Sequence, residues 1–134
     1  MARWRFGAFQ VVSVLAAALF AWLFAQMQFT PREFCAGFGV EAPVGTVILV
    51  RRASMLMLGF AVLLLLARNA PPSPLRRAVA VAVAVTMAGF ATMGTQELLR
   101  GTLPPSVWVV VGVESAFAAA FLALWIRERF AHPA

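Results

Sequence analysis

Four ionisable side chains interrupt runs of sequence that are otherwise almost free of charge. Arg51, Arg52, Glu97 and Glu114 fall within or at the ends of long apolar stretches, in a 134-residue chain that is 63% hydrophobic and 12% charged. An ionisable group in hydrocarbon is costly, so it pairs with a partner or marks a functional path. At a helical rise of about 1.5 Å per residue, Glu114 lies roughly 20 Å from Arg127, Arg52 roughly 24 Å from Arg68, and Glu97 roughly 30 Å from Arg77. The four residues therefore share the outer third of a hydrocarbon layer, with Glu114 deepest. Arg52 is two helical turns from Gly59, and a glycine marks close approach of a neighbouring helix, so Arg52 is the expected partner of Glu114. Arg51 points roughly 100° away and is expected to snorkel to the interface or to meet Glu97 or Glu41. Three chemistries fit this candidate buried polar site. It is a structural ion pair, the polar floor of a ligand or proton site opening outward, or a set of arginines meeting lipid headgroups.

A second set, Thr86, Gly89, Met93 and Gln96, recurs at spacings of three and four, with Thr92 and Thr95 nearby. Such a stripe lines a cavity, or it packs with its threonine hydroxyls bonded back to their own helix. Gly112, Ser115 and Ala119 form a small-residue face, as do Ala17, Ala21 and Ala25, and such faces permit close helix contact. Trp22, Trp108 and Trp125 lie toward run ends, where indole rings favour the membrane interface.

The elements that position these residues are long apolar runs. A transmembrane helix needs about 20 predominantly apolar residues. Four segments meet that length, at about 6–29, 46–67, 76–98 and 106–126. A helix satisfies its own backbone hydrogen bonds in lipid, and no run shows the apolar–polar alternation of a membrane strand. Pro31 with Gly37, Gly39, Pro43 and Gly45, the stretch Asn69-Ala70-Pro71-Pro72-Ser73-Pro74, and Gly101 with Pro104-Pro105 separate the runs. Short connections make neighbouring helices antiparallel. The expected fold is all-α, a single membrane domain over 1–134 built as a four-helix up-down-up-down bundle.

Orientation follows from arginines near helix ends. Arg3, Arg5, Arg68, Arg76, Arg77, Arg127 and Arg129 fall on one side. Arg32, Arg51, Arg52 and Arg100 fall on the other, offset there by Glu33, Glu41, Glu97 and Glu114. The bias predicts both termini inside. Met-Ala-Arg-Trp-Arg before an apolar run also has the shape of a secretory signal, but the run exceeds a usual signal core and Leu23 fits poorly before a cut after Ala25. The first run is therefore expected to remain as a helix.

The net charge of +6 and isoelectric point near 11.8 do not indicate nucleic acid, because the arginines flank helices and meet anionic headgroups instead. Membrane lipids are the expected partners, with a second copy or another membrane protein as the expected protein contact. The only histidine, His132, cannot supply paired haem ligands or a histidine zinc site. Cys35 is the only cysteine, so there is no internal disulfide and no Cys-x-x-Cys pair. Neither a glycine-rich phosphate loop nor a nucleophile elbow is present. No cofactor, metal or catalytic residue is expected. The first run also lacks the acidic residue of small multidrug-resistance exporters, which share this size and helix count.

Phe38-Gly39-Val40, Ala42-Pro43, Arg52, Leu58-Gly59, Arg76-Arg77 and Glu114 recur in a familiar order. Over Gly37–Ile126, about two-thirds of the chain, this pattern resembles an uncharacterised family of small four-helix bacterial membrane proteins, loosely DoxX-like. The resemblance implies an inner-membrane bundle and hints at redox-associated membrane complexes, but it supplies no activity. The functional expectation is a non-enzymatic accessory or a small-molecule- or lipid-binding component. The alternative is a small oligomeric transporter or channel subunit using Arg52 and Glu114.

Overall fold

The computed structural model describes residues 7–131, and Arg3, Arg5 and His132 lie outside that range. Within it, the chain forms helices α1 (Ala8–Phe29), α2 (Pro31–Gly37), α3 (Val44–Ala67), α4 (Pro74–Leu99) and α5 (Val107–Ala131). Four of these, α1, α3, α4 and α5, are long and apolar enough to cross a membrane. Their bounds follow the expected runs, except that α5 continues past Ile126 to Ala131. The chain is an all-helical, multi-pass membrane bundle.

Local chemistry explains the ends. Ser73 caps α4 by accepting from the Arg76 amide at 3.2 Å, with Pro74 in the first helical position, where its missing N–H costs nothing. Thr30 closes α1 by donating to the Gln26 carbonyl at 3.1 Å. Pro31, expected only to break the chain, also starts α2, with Glu33 in that helix's first turn. Gly39 and Gly101 have φ of 68° and 75°, the left-handed conformation that glycine adopts without strain. The two turns meet, since a Cβ on Gly39 would sit 3.4 Å from the Pro104 ring.

Packing divides the bundle into two antiparallel pairs, α1 with α3 and α4 with α5. Phe20 stacks on Phe60 in the first pair, with ring centroids 5.1 Å apart. In the second pair a Cβ on Gly94 would lie 2.8 Å from Val111 Cγ2, so these backbones approach through a glycine. The pairs join chiefly through α1 and α5, where Phe9 meets Phe121 edge-on at 6.5 Å. α3 touches α4 only lightly, and α3 and α5 do not pack together. They stand at opposite corners.

The core is apolar. Phe9, Ala16, Phe20, Met57, Leu64, Val83, Met87 and Phe121 fill its larger cluster, while Ala91, Val107 and Val111 form a smaller one between α4 and α5. We call the end holding the α1 N-terminus and α5 C-terminus proximal, and the end holding Thr30 and Gly101 distal.

Candidate functional site

The structure does not assemble the four candidate residues into one site. Arg52 is exposed on α3, and Glu114 is half-buried on α5 along the stripe shared by Val111, Ala118 and Phe121. No ion pair joins them. The diagonal placement of α3 and α5 is the reason, because two helices that do not pack cannot bring mid-helix side chains together. Gly59 does share a face with Arg52, but that face is turned outward and a Cβ there would meet nothing within 4 Å.

Arg51 serves a different end. Its Nε donates to the Gln28 carbonyl at 3.2 Å, in the last turn of α1. The final carbonyls of a helix lack intrahelical donors and carry its negative dipole end, so a guanidinium is well suited there. Ser54 adds a second link by donating to Gln28 Oε1 at 2.8 Å, with Arg51 O also 2.6 Å from its hydroxyl. This polar latch fastens α1 to α3 near the distal end. Glu97 is likewise spent locally, pairing with Arg100 at 2.7 Å and accepting from the Thr102 hydroxyl at 2.6 Å on its other oxygen.

The cavity expectation fails in the same physical way. Thr86, Thr92 and Thr95 donate to the carbonyls of Ala82, Ala88 and Ala91 at 2.9, 2.7 and 2.7 Å. The packing alternative for these threonines is therefore the correct one. Gly89 has open space beside it, Met93 is 65% exposed, and Gln96 is exposed as well. Gly89, Met93 and Gln96 face outward, with Thr86 partly buried beside them. Gly112, Ser115 and Ala119 also face outward, whereas Ala17 is buried among the helices. Trp22 and Trp108 are exposed on the bundle surface, and Arg129 lies 5.3 Å from the Trp125 ring centroid.

A cluster absent from the sequence reading occupies the proximal end. Arg76 Nη2 approaches Glu128 Oε1 to 2.5 Å, with side chains only 17% and 13% exposed. The same guanidinium lies 4.1 Å from the Phe9 ring centroid, and its Nη1 donates to the Ala70 carbonyl at 2.8 Å. One arginine thus ties α4 to α5, α1 and the α3–α4 connection. Arg76 Nε and Glu128 Oε2 are buried without a hydrogen-bond partner, so the single Nη2–Oε1 contact carries the pairing. The signal was available: extending the last helix by one turn past Ile126 carries Glu128 into it.

Among the described residues no group of three or more His, Cys, Asp or Glu side chains could hold a metal. Cys35 is a buried free thiol on α2. Compared with protein families, with curated proteins and with solved structures, the chain matches none.

The arrangement fastens helices to one another. Arg51, Arg68, Arg76, Glu97, Arg100 and Glu128 all bond near a helix end, and the outward faces between those ends are largely apolar, with Leu15, Trp22, Leu56, Leu66, Val85 and Val109 exposed. Such a surface is matched to hydrocarbon, and it identifies the chain as a helical multi-pass membrane protein.

Proposed function

We propose that this protein is a non-enzymatic component of the bacterial inner membrane that binds lipid or a small molecule, with both termini inside. One observation carries the reading: polar side chains latch the helices at their ends and leave a broad apolar exterior between them. The arginine bias toward the proximal end supports the orientation with both termini inside. Lipid and metabolite identification on gently purified protein tests it. Selective retention of one chemical class over its share of the membrane is the expected result. A lipid complement identical to the bulk bilayer, with no metabolite, would overturn it.

Glu114 favours a second reading, that of a small oligomeric transporter or channel subunit. Its carboxyl lies on the inward stripe of α5 without an ion pair, and an intramembrane acid is a natural proton carrier. Proton flux into liposomes that disappears in Glu114→Gln would establish that role. Equal, background-level flux in both forms would remove it.

A further inference from the structure

The distal end holds a depression of about 430 Å3 lined by Arg32, Ala36, Gly39, Val40, Glu41 and Ala42. That size falls in the range of sites for small molecules, about 300–1,000 Å3. Its lining is unusual in composition. Four of its six lining residues are apolar, and the other two are one cation and one anion. Arg32 and Glu41 are both exposed, and no ion pair joins them to each other or to any other described residue. Each charge remains available to a ligand.

The position is set by the fold. Pro31 starts α2 directly after α1 ends, which places Arg32 in the first turn of that helix. The chain then reverses at Gly39, whose left-handed turn is backed by Pro104 from the α4–α5 connection. That reversal brings Val40, Glu41 and Ala42 back along α2. The depression thus lies where α1 ends and α3 begins, at the boundary between the apolar spans and the polar layer.

A ligand matched to this site carries an anionic and a cationic group on a short linker, with an apolar body directed along the helices. A guanidinium recognises phosphate through paired N–H donors. A carboxylate is best matched by an ammonium that retains its N–H donors, so ethanolamine fits better than choline. We propose that the depression binds the phosphoethanolamine headgroup of a phospholipid, with phosphate on Arg32, ammonium on Glu41, and the glycerol over Ala36 and Val40. The inference rests on the lipid-binding reading above and names its ligand class. Free phosphoethanolamine offers the same two charges, but the site's place at the edge of the spans favours the lipid.

Native mass spectrometry of the full chain, with phosphatidylethanolamine, phosphatidylcholine, phosphatidylglycerol or O-phosphoethanolamine added in turn, tests the proposal. Phosphatidylethanolamine should be retained most tightly. An exposed ion pair is worth up to about 1 kcal/mol, so Glu41→Gln should weaken it by up to about fivefold and abolish its advantage over phosphatidylcholine. Arg32→Gln should weaken both lipids together. Glu33→Gln, on the same short helix but outside the lining, should change nothing. If wild type selects no lipid, the lipid-binding reading falls and this site with it. If wild type selects phosphatidylethanolamine but Arg32→Gln and Glu41→Gln bind it unchanged, only the site is overturned. Binding of O-phosphoethanolamine as tight as that of the lipid would overturn the lipid assignment.

Discussion

Gly94 offers the sharpest quantitative test of the packing. A Cβ added there would lie 2.8 Å from Val111 Cγ2, closer than real carbon contacts. Val111 is buried and β-branched, so its methyl cannot swing aside freely. Overpacking of this kind costs about 1–3 kcal/mol. Against it stands the better helix propensity of alanine, about 0.8–1.0 kcal/mol over glycine. Gly94→Ala should therefore be neutral to destabilising by roughly 2 kcal/mol. Gly59→Ala and Gly89→Ala provide the reference, because their added Cβ would meet nothing within 4 Å. They gain the same propensity without the clash, so the difference between Gly94→Ala and either one isolates about 1–3 kcal/mol of steric cost. Val111→Ala in the Gly94→Ala background should relieve it, giving a coupling energy of about 1–3 kcal/mol in the favourable direction. Reversible unfolding in mixed micelles, followed by circular dichroism, measures all of these. If Gly94→Ala matches Gly89→Ala and no coupling to Val111 appears, the α4–α5 contact is not where the structure puts it.

The proximal ion pair should be the costliest polar contact to break. Glu128→Ala strands a buried guanidinium and should destabilise by about 3–5 kcal/mol, while exposed Glu33→Ala stays within about 0.5 kcal/mol, both read by the same unfolding assay. Arg51→Ala should lose about 0.5–1.5 kcal/mol with its bond to the Gln28 carbonyl, whereas Arg52→Ala, at an exposed position within a span, should not destabilise, because it removes a charge from an apolar layer. Equal effects for Arg51 and Arg52 would contradict their different surroundings. For orientation, labelling of single cysteines in a Cys35→Ser background should find Ser73 protected in intact cells and Thr30 and Gly101 accessible. Reversed accessibility would overturn the arginine-based orientation.

The bundle was largely legible because lipid imposes it. Only helices satisfy the backbone in hydrocarbon, so run length and proline or glycine punctuation located four spans before any packing was known. α2 was missed because Pro31 was read as an interruption, although proline is equally at home in a helix's first position. The polar site was less legible. Sequence spacing places Arg52 and Gly59 on one face and gives depths along each helix, but it does not say which helices are neighbours. Pairing Arg52 with Glu114 required α3 to face α5, and they stand diagonally. The same blindness sent Gly89 and Met93 inward when they face out, and it hid Gly94, which meets Val111 where Gly89 meets nothing. Arg76 and Glu128 were separated by a boundary error of one turn, enough to remove Glu128 from its helix.

The central claim is the pairing of α1 with α3 and of α4 with α5, with α3 and α5 apart. Disulfide trapping in native membranes tests it directly, using a Cys35→Ser background and a protease site in the α4–α5 connection. A disulfide needs Cα atoms within about 7 Å. Gly94→Cys with Val111→Cys should cross-link on mild oxidation and hold the two cleaved fragments together on a non-reducing gel. Arg52→Cys with Glu114→Cys should leave the fragments separate. Rapid cross-linking of the second pair without the first would contradict the arrangement and restore a shared Arg52–Glu114 site.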